Sequence, residues 1–245
     1  MPNTDLSVQL GPLKLKNPVM VASGTASYGE EISRVYPLSK LGALVTKSIT
    51  LKPRQGNPPY RVIETASGML NSIGLQNVGL EDFCKTKLPF LRKAKATVIV
   101  NIAAKRIEDY AKLAARLSRE EGVFGIELNV SCPNVKEGGL EFGTSVACIT
   151  EIVLVVRRET KLPVITKLSP NVTDIVNVAK AAMDGGSDAV SLVNTFLAMA
   201  VDVRKKKPIL STVTGGLSGP AIKPIALRMV WQVYSALKCP IIGIG

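Results

Sequence analysis

Seven short apolar runs recur along this chain, at residues 18–22, 43–47, 97–102, 125–130, 163–167, 189–193 and 240–244. Each is nearly continuous in Val, Ile, Leu and Ala rather than alternating with polar residues, the pattern of strands buried on both faces. Helical periodicity fills most of the gaps. Ile107, Tyr110, Ala111, Ala114 and Leu117 fall on one face of a helix near 105–121. Asn171 is placed to cap the next helix, with Asp174 three residues later near its positive end. Ile175, Val178, Ala179 and Ala182 form that helix's inner stripe, and Gly185-Gly186 stops it. Pro220 suits the first turn of a helix running to Leu237. Residues 6–16 read as a hairpin turning at Gly11-Pro12. Strands alternating with helices build βα units, and βα units build a parallel sheet. The expected fold is therefore α/β, a (β/α)8 TIM barrel, for which 245 residues is an ordinary size. Seven strands are one short of closure. The expectation is a barrel truncated after strand seven, with residues 1–245 as a single domain lacking strand eight and the last helix. A seven-stranded variant, or a barrel completed by a partner, is the alternative.

Composition narrows the chemistry. The chain has no histidine, which excludes Ser-His-Asp and Cys-His hydrolases and every histidine metal site. General acids and bases must come from Cys, Lys, Tyr, Asp or Glu. Cys84, Cys132, Cys148 and Cys239 form no C-x-x-C pair, so metal spacing is absent and reduced thiols are expected. No apolar run approaches the roughly 18–20 residues of a membrane span, and the N-terminus carries no basic start or apolar signal region. A soluble cytoplasmic protein, without membrane attachment, is expected. The formal net charge of +12 calls for anionic partners. The densest basic clusters lie at residues 85–95 and 204–207. With aromatics at 4% and no RNA-binding aromatic motif, nucleic acid is not the expected partner. Those clusters read either as solvated faces or as a docking surface for an acidic protein.

The polar residues gather at one end. Ser23 and Gly24 follow the first run, Lys47 and Ser48 close the second, and Asn101 ends the third. Asn129 ends the fourth, Lys167 the fifth, Asn194 and Thr195 the sixth, and Gly245 the seventh. Barrel active sites are built at the C-terminal ends of strands. A single Asn at a strand end is an ordinary turn residue, but six polar positions at the same end are not explained by turns. A lysine ending an apolar strand is either snorkelling into solvent or a fixed charge in the mouth. Three strings stand out. Asn71-Ser72-Ile73-Gly74-Leu75-Gln76-Asn77 is a tight loop that allows close backbone approach at Gly74. Asn129-Val130-Ser131-Cys132-Pro133-Asn134 places a thiol and two carboxamides where a buried strand ends. A thiol carries protons when its pKa lies near the working pH, and carboxamides both donate and accept. Thr214-Gly215-Gly216-Leu217-Ser218-Gly219-Pro220 reads as a glycine-rich loop opening a helix, able to approach an anion or cofactor closely.

In combination these strings and the two lysines resemble dihydroorotate dehydrogenases over residues 1–245, and most closely the flavin-bearing catalytic subunit of the two-subunit, NAD-linked class. Gly74-Leu75-Gln76-Asn77 and Val135-Lys136-Glu137-Gly138-Gly139 favour that class over the single-subunit, fumarate-linked one. The resemblance implies an FMN-binding barrel that oxidises dihydroorotate to orotate in pyrimidine synthesis. A proton leaves carbon 5 and a hydride leaves carbon 6 for the flavin. It implies Cys132 as the base. It implies FMN contacts from Ser23, Lys47, Ser48, Asn101, Asn129, Lys167, Val193, Gly219 and Gly245. Substrate contacts would come from Lys47, the loop Asn71, Ser72, Ile73, Gly74 and Leu75, and from Asn129, Asn134, Asn194 and Thr195. No metal site is implied. Electrons would leave through a partner subunit carrying FAD and an iron–sulfur cluster, with a homodimer of catalytic subunits inside a heterotetramer. The alternatives are a dihydropyrimidine dehydrogenase-like domain that reduces uracil, or a non-catalytic barrel fragment acting as a binding module.

Overall fold

The computed structural model describes residues 4–131, 143 and 145–245. The chain opens with β1 (Val8–Leu10) and β2 (Leu13–Leu15), followed by β3 (Met20–Val21), β4 (Ala43–Val45), β5 (Val62–Thr65) and β6 (Gly68–Asn71). A short helix α1 (Leu80–Asp82) runs through a wider helical turn into α2 (Leu88–Lys93), then come β7 (Val98–Ile102), α3 (Ile107–Leu117) and β8 (Val123–Asn129). Next are α4 (Val146–Glu159), β9 (Val164–Lys167), α5 (Ile175–Asp184) and β10 (Ala189–Leu192). The last part holds β11 (Phe196–Met199), β12 (Val201–Asp202), β13 (Lys207–Pro208), β14 (Thr214–Ser218), α6 (Lys223–Leu237) and β15 (Ile241–Gly243).

All seven apolar runs become strands of one sheet, in the order β3-β4-β7-β8-β9-β10-β15, which is chain order. Every pairing in it is parallel. This is the strand arrangement of a (β/α)8-type barrel, as expected. The two-residue period of a strand divides its side chains between two cores. Leu44, Val98, Val100, Ile102, Ile126, Leu128, Val164, Val190 and Leu192 point outward into one cluster with the helices. Ala43, Val45, Ile99, Ile165 and Ala189, at the opposite parity, meet Leu10, Leu13 and Leu15 in a second cluster. Side chains from four strands reach one small hairpin only because the sheet curls around it. The β1–β2 hairpin thus stops the N-terminal end of the barrel. Gly11 turns it at φ 55°, and a Cβ there would lie 2.9 Å from the Asp188 carbonyl.

Two details depart from expectation. Asn171 does not cap α5. Asp174 does, accepting from the N–H groups of Val176 and Asn177 at 2.9 and 3.1 Å. Asn171 instead fastens the chain after β10, donating to the Thr195 carbonyl at 3.1 Å and accepting from Leu197 N–H at 2.9 Å. The second departure is the stretch 214–220, which is not a glycine-rich loop. Its first five residues are β14, inside a four-stranded antiparallel sheet of order β11-β14-β6-β5. The glycines are there for close packing. A Cβ on Gly215 would lie 2.7 Å from the Asn71 carbonyl oxygen, and one on Gly216 would fall on the Thr195 side chain. The basic run 204–207 forms the tip of the β12–β13 hairpin, where Asp202 accepts from the N–H groups of Arg204 and Lys205 and the cations are exposed.

Candidate active site

The parity that plugs the bottom of the barrel also builds the top. Two to four residues further along the same inner rows lie Lys47 beyond β4, Asn101 on β7, Glu127 and Asn129 on β8, Lys167 on β9 and Ser191 on β10. Register sets their heights. Asn101 stands beside Glu127, and Asn129 beside Lys167 one step nearer the mouth. Glu127 is 1% exposed. It accepts from Asn101 Nδ2 at 2.6 Å and from Ser191 Oγ at 2.7 Å. Asn129 is held by its backbone, whose carbonyl accepts from the Tyr110 hydroxyl at 2.8 Å. Among the described residues its carboxamide makes only long bonds: Nδ2 donates to Ser48 Oγ at 3.4 Å, and Oδ1 accepts from Asn194 Nδ2 at 3.4 Å and Ser131 N–H at 3.3 Å.

Lys47 and Lys167 bring positive charge to this polar end, and neither has an ion-pair partner among the described residues. Lys167 is buried. Burial, and secondarily the Arg61 charge, hold the Lys47 ammonium below the usual lysine range. Arg61 is pinned to the neighbouring loop, donating to Gln76 Oε1 at 2.7 Å and to the Asn57 carbonyl at 3.3 Å. A cavity of about 570 Å³ opens beside Lys47, lined also by Ser27, Tyr28, Arg54, Gln55 and Gln76.

The expected substrate loop is braced from outside. Asn57 donates to the Ser72 carbonyl at 2.8 Å, and Asn57 N–H donates to the Ile73 carbonyl at 3.0 Å. Gly74 has φ 75°, and a Cβ there would lie 2.7 Å from the Asn57 side chain, so this glycine is required twice over. Leu75 follows in the left-handed region at φ 55°, its carbonyl accepting from Asn77 Nδ2 at 2.8 Å. Asn71 Nδ2 reaches the Gly216 carbonyl at 3.4 Å, tying the loop to β14. Asn194 accepts from Thr195 N–H at 2.9 Å. Val193 N–H donates to Ile244 at 3.1 Å, which ties the β10 end to the chain before Gly245. Ser23 follows β3 half-buried. Gly219 has φ 99° and packs against Gly68, where a Cβ would lie 2.9 Å from its Cα. The structure brings Lys47, Ser48, Asn71, Asn101, Asn129, Lys167, Asn194 and Thr195 to one end of the barrel. Cys132 and Asn134 lie outside the described residues. Of the other thiols, Cys84 is pushed up to about 11 and Cys239 is also raised, both chiefly by burial, so neither is suited to act as a base near neutrality.

Sequence reasoning missed Glu127 and Ser191. The signal was present, since Glu127 is the one charged residue of the run 125–130 and shares its parity with Asn129.

Three side-chain polar atoms among the described residues are buried without a hydrogen-bond partner: Ser72 Oγ, Asn101 Oδ1 and Ser131 Oγ. One follows β6, one is on β7 and one follows β8. Buried polar groups are paired as a rule, so each exception calls for a partner such as a water, an ion or a ligand. One bare amide oxygen and two hydroxyls, at the same end as two ammonium groups without an ion-pair partner among the described residues, fit a flat, polar ring system that gains negative charge, which is the chemistry of a flavin. No helix of the described chain is long and apolar enough to cross a membrane.

The sequence profile of dihydroorotate dehydrogenase matches residues 5–245. The chain is 55% identical over 245 residues to the protein named dihydroorotate dehydrogenase B (NAD(+)), catalytic subunit, of Geotalea daltonii, covering 100% of this chain and 80% of that protein. It is 56% identical over 241 residues to the protein of the same name from Pelobacter propionicus, covering 98% and 79%. With the Geobacter sulfurreducens protein of that name it shares 55% identity over 245 residues, again covering 100% and 80%. A profile match along almost the whole chain and identity above one half lead to one conclusion: this chain belongs to the dihydroorotate dehydrogenase family.

Proposed function

We propose that this protein oxidises dihydroorotate to orotate in pyrimidine biosynthesis, as the FMN-bearing catalytic subunit of an NAD-linked enzyme. Residues 1–245 act in this reading as one FMN-binding barrel domain. The observation that carries it is the coincidence, at the mouth of a chain so similar to such subunits, of three buried polar atoms and two lysines that have no hydrogen-bond or ion-pair partner, respectively, among the described residues.

A bound flavin would supply the acceptor for the hydride that leaves carbon 6. The chain's own residues do the rest. Lys167 and Lys47 offer ammonium groups to the negative charge that a two-electron reduction leaves on the ring and to the carboxylate of the pyrimidine. Asn101 and Asn129, with Ser48 behind, hold the ring, and Ser23, Val193, Gly219 and Gly245 complete its contacts. Asn71, Ser72, Ile73, Gly74, Leu75, Asn134, Asn194 and Thr195 enclose the pyrimidine. A ligand of the wrong donor pattern would leave buried amides unpaired there, which is how such a cradle discriminates. Cys132 takes the proton from carbon 5 at its Sγ as the carbon 5–carbon 6 double bond forms. A partner subunit holding FAD and an iron–sulfur cluster would carry the electrons on to NAD. Two catalytic subunits pair within a heterotetramer, in the cytoplasm.

The test is anaerobic mixing of the flavin-loaded protein with dihydroorotate. Bleaching of the flavin with one orotate formed per flavin is expected, and the step accelerates as pH rises toward the free-thiol pKa of roughly 8.5. Cys132→Ala should slow it by about 100-fold or more, in line with general-base contributions. Unchanged reduction in that variant sinks the base assignment. Uracil should leave the flavin spectrum unmoved where orotate shifts it, and the isolated chain should reduce artificial acceptors but not NAD.

A further inference from the structure

Glu127 is the only carboxylate buried among the described residues. It has no lysine or arginine within ion-pair distance there. Burying an acidic group without a countercharge is expensive. Packing does not explain it, because the neighbouring inner positions are filled by Ile99, Ile165 and Gly125. What Glu127 does offer is two acceptors. One takes Ser191 Oγ–H and the other takes Asn101 Nδ2–H.

The second bond has a directional consequence. A carboxamide has one donating end and one accepting end. Facing a carboxylate, Asn101 must turn Nδ2 toward it, which sends Oδ1 the other way. Asn101 is 0% exposed and its Oδ1 has no partner. The pair therefore spends folding stability to keep a bare acceptor aimed at one place in the barrel. We infer that Glu127 is a positioning residue: it locks Asn101 so that the carboxamide oxygen accepts from a ring N–H of the flavin or of the pyrimidine beside it. The inference rests on the flavin reading above. The flavin is the favoured recipient, because Asn101 and Glu127 lie one step deeper than Asn129 and Lys167. In its oxidised state the isoalloxazine ring carries a single N–H, on its imide.

The experiment uses the full chain loaded with FMN labelled with 15N at the imide position, followed by proton–nitrogen correlation spectroscopy. In the unmodified protein the imide proton should be shifted downfield of free FMN and exchange with water at least about tenfold more slowly, the protection that one buried hydrogen bond confers. Glu127→Gln keeps shape and volume but can offer a donor, so Asn101 is released to flip. The imide proton should then move upfield, exchange should return to within about threefold of free FMN, and FMN affinity should fall about tenfold, the scale of one hydrogen bond. Ser191→Ala removes the other bond to Glu127 and leaves the Asn101 bond in place. It should lower thermal stability without moving the imide signal. An unprotected imide in the unmodified protein overturns the flavin assignment, and does so whether or not the Glu127 variant folds. Identical imide signals in the unmodified protein and Glu127→Gln do the same. If instead the N–H signals of 15N-labelled orotate respond to Glu127→Gln, the positioning role stands with the pyrimidine as recipient. If orotate is also unresponsive, the role falls. Failure of the unmodified protein to retain any flavin would overturn the flavin reading itself, a separate result from flavin retained with an indifferent imide.

Discussion

At the N-terminal end of the strands the inner face of the barrel is Ala43, Val45, Ile99, Ile165 and Ala189, filled by Leu10, Leu13 and Leu15 from the hairpin. Two to four residues further along the inner rows the same face holds Lys47, Asn101, Glu127, Asn129, Lys167 and Ser191. The secondary structure, the parity and the sheet do not change between these levels. Only the side chains do. The lower level contains no polar side chain in its cluster, and each buried leucine there contributes about 1.5–3 kcal/mol by leaving water. The upper level contains a buried lysine and, among the described residues, a carboxylate without a countercharge and an amide oxygen without a hydrogen-bond partner. A barrel of this kind is stabilised from its floor and from the helix layer outside, and its mouth is free to be unstable alone and useful with a ligand.

The sharpest way to break that comparison is to damage the floor. Leu15→Ala, at a residue 2% exposed, should lower unfolding free energy by about 2–5 kcal/mol, the range for such cavities. Urea denaturation gives the number. Flavin bound per folded molecule should be unchanged, because nothing at the mouth is touched. A floor variant that lost flavin while keeping its stability would show that the two levels are not separable.

Gly216→Ala strikes the four-stranded sheet beside the mouth. Its new Cβ would fall on the Thr195 side chain, whose own Cβ is also too near to rotate away. The strand β14 must shift, at a cost of about 1–3 kcal/mol. Because β14 also receives the Asn71 bond, orotate affinity should drop with stability in this variant. Calorimetric titration with orotate distinguishes that outcome from a purely local strain that leaves affinity intact.

The two levels were not equally legible in the sequence. All seven apolar runs were read to within two or three residues, because burial on both faces leaves an unmistakable composition. The polar strand ends were read for the same reason in reverse. What escaped was non-local. Gly215 and Gly216 announced a loop, yet they are glycines because strands from distant parts of the chain crowd them, and only a tertiary contact could say so. Asn171 and Asp174 both suit a helix cap, and the choice depended on the Thr195 segment claiming Asn171. Glu127 was passed over because its partners, Asn101 and Ser191, lie 26 and 64 residues away.

Lys167→Met tests the mouth directly. The side chain keeps its length, loses its charge and leaves no ion-pair partner stranded among the described residues. Stability should change by less than about 1 kcal/mol and in the direction of greater stability, since a buried charge is exchanged for an apolar group. FMN retention through gel filtration should fall. A variant that is both less stable and fully flavin-loaded would mean that Lys167 belongs to the scaffold and not to the site.

The smallest expected effect comes from Lys47. Its pKa is lowered in the folded chain by burial first and by Arg61 second, against an ordinary lysine value of about 10.4. Between those two values the unfolded chain still binds a proton that the folded chain has released, so folding stability rises with pH through that window; below it the native state carries the whole desolvation penalty. Ligand binding runs the other way. If Lys47 meets the orotate carboxylate as an ammonium, affinity is full below the lowered pKa and declines above it, by up to about tenfold per pH unit. Arg61→Gln removes the second cause and leaves the first, so the alkaline decline should move part of the way back toward the ordinary value, with less than about 1 kcal/mol change in stability. Fluorescence titration with orotate from neutrality to about pH 10 reads both effects in one series, since that range brackets most of the approach to the ordinary lysine pKa. The same decline in the protein with and without Arg61 would leave burial as the sole cause of the shift. No decline at all would remove Lys47 from the substrate's carboxylate and return it to the role of a lysine snorkelling from the end of a core strand.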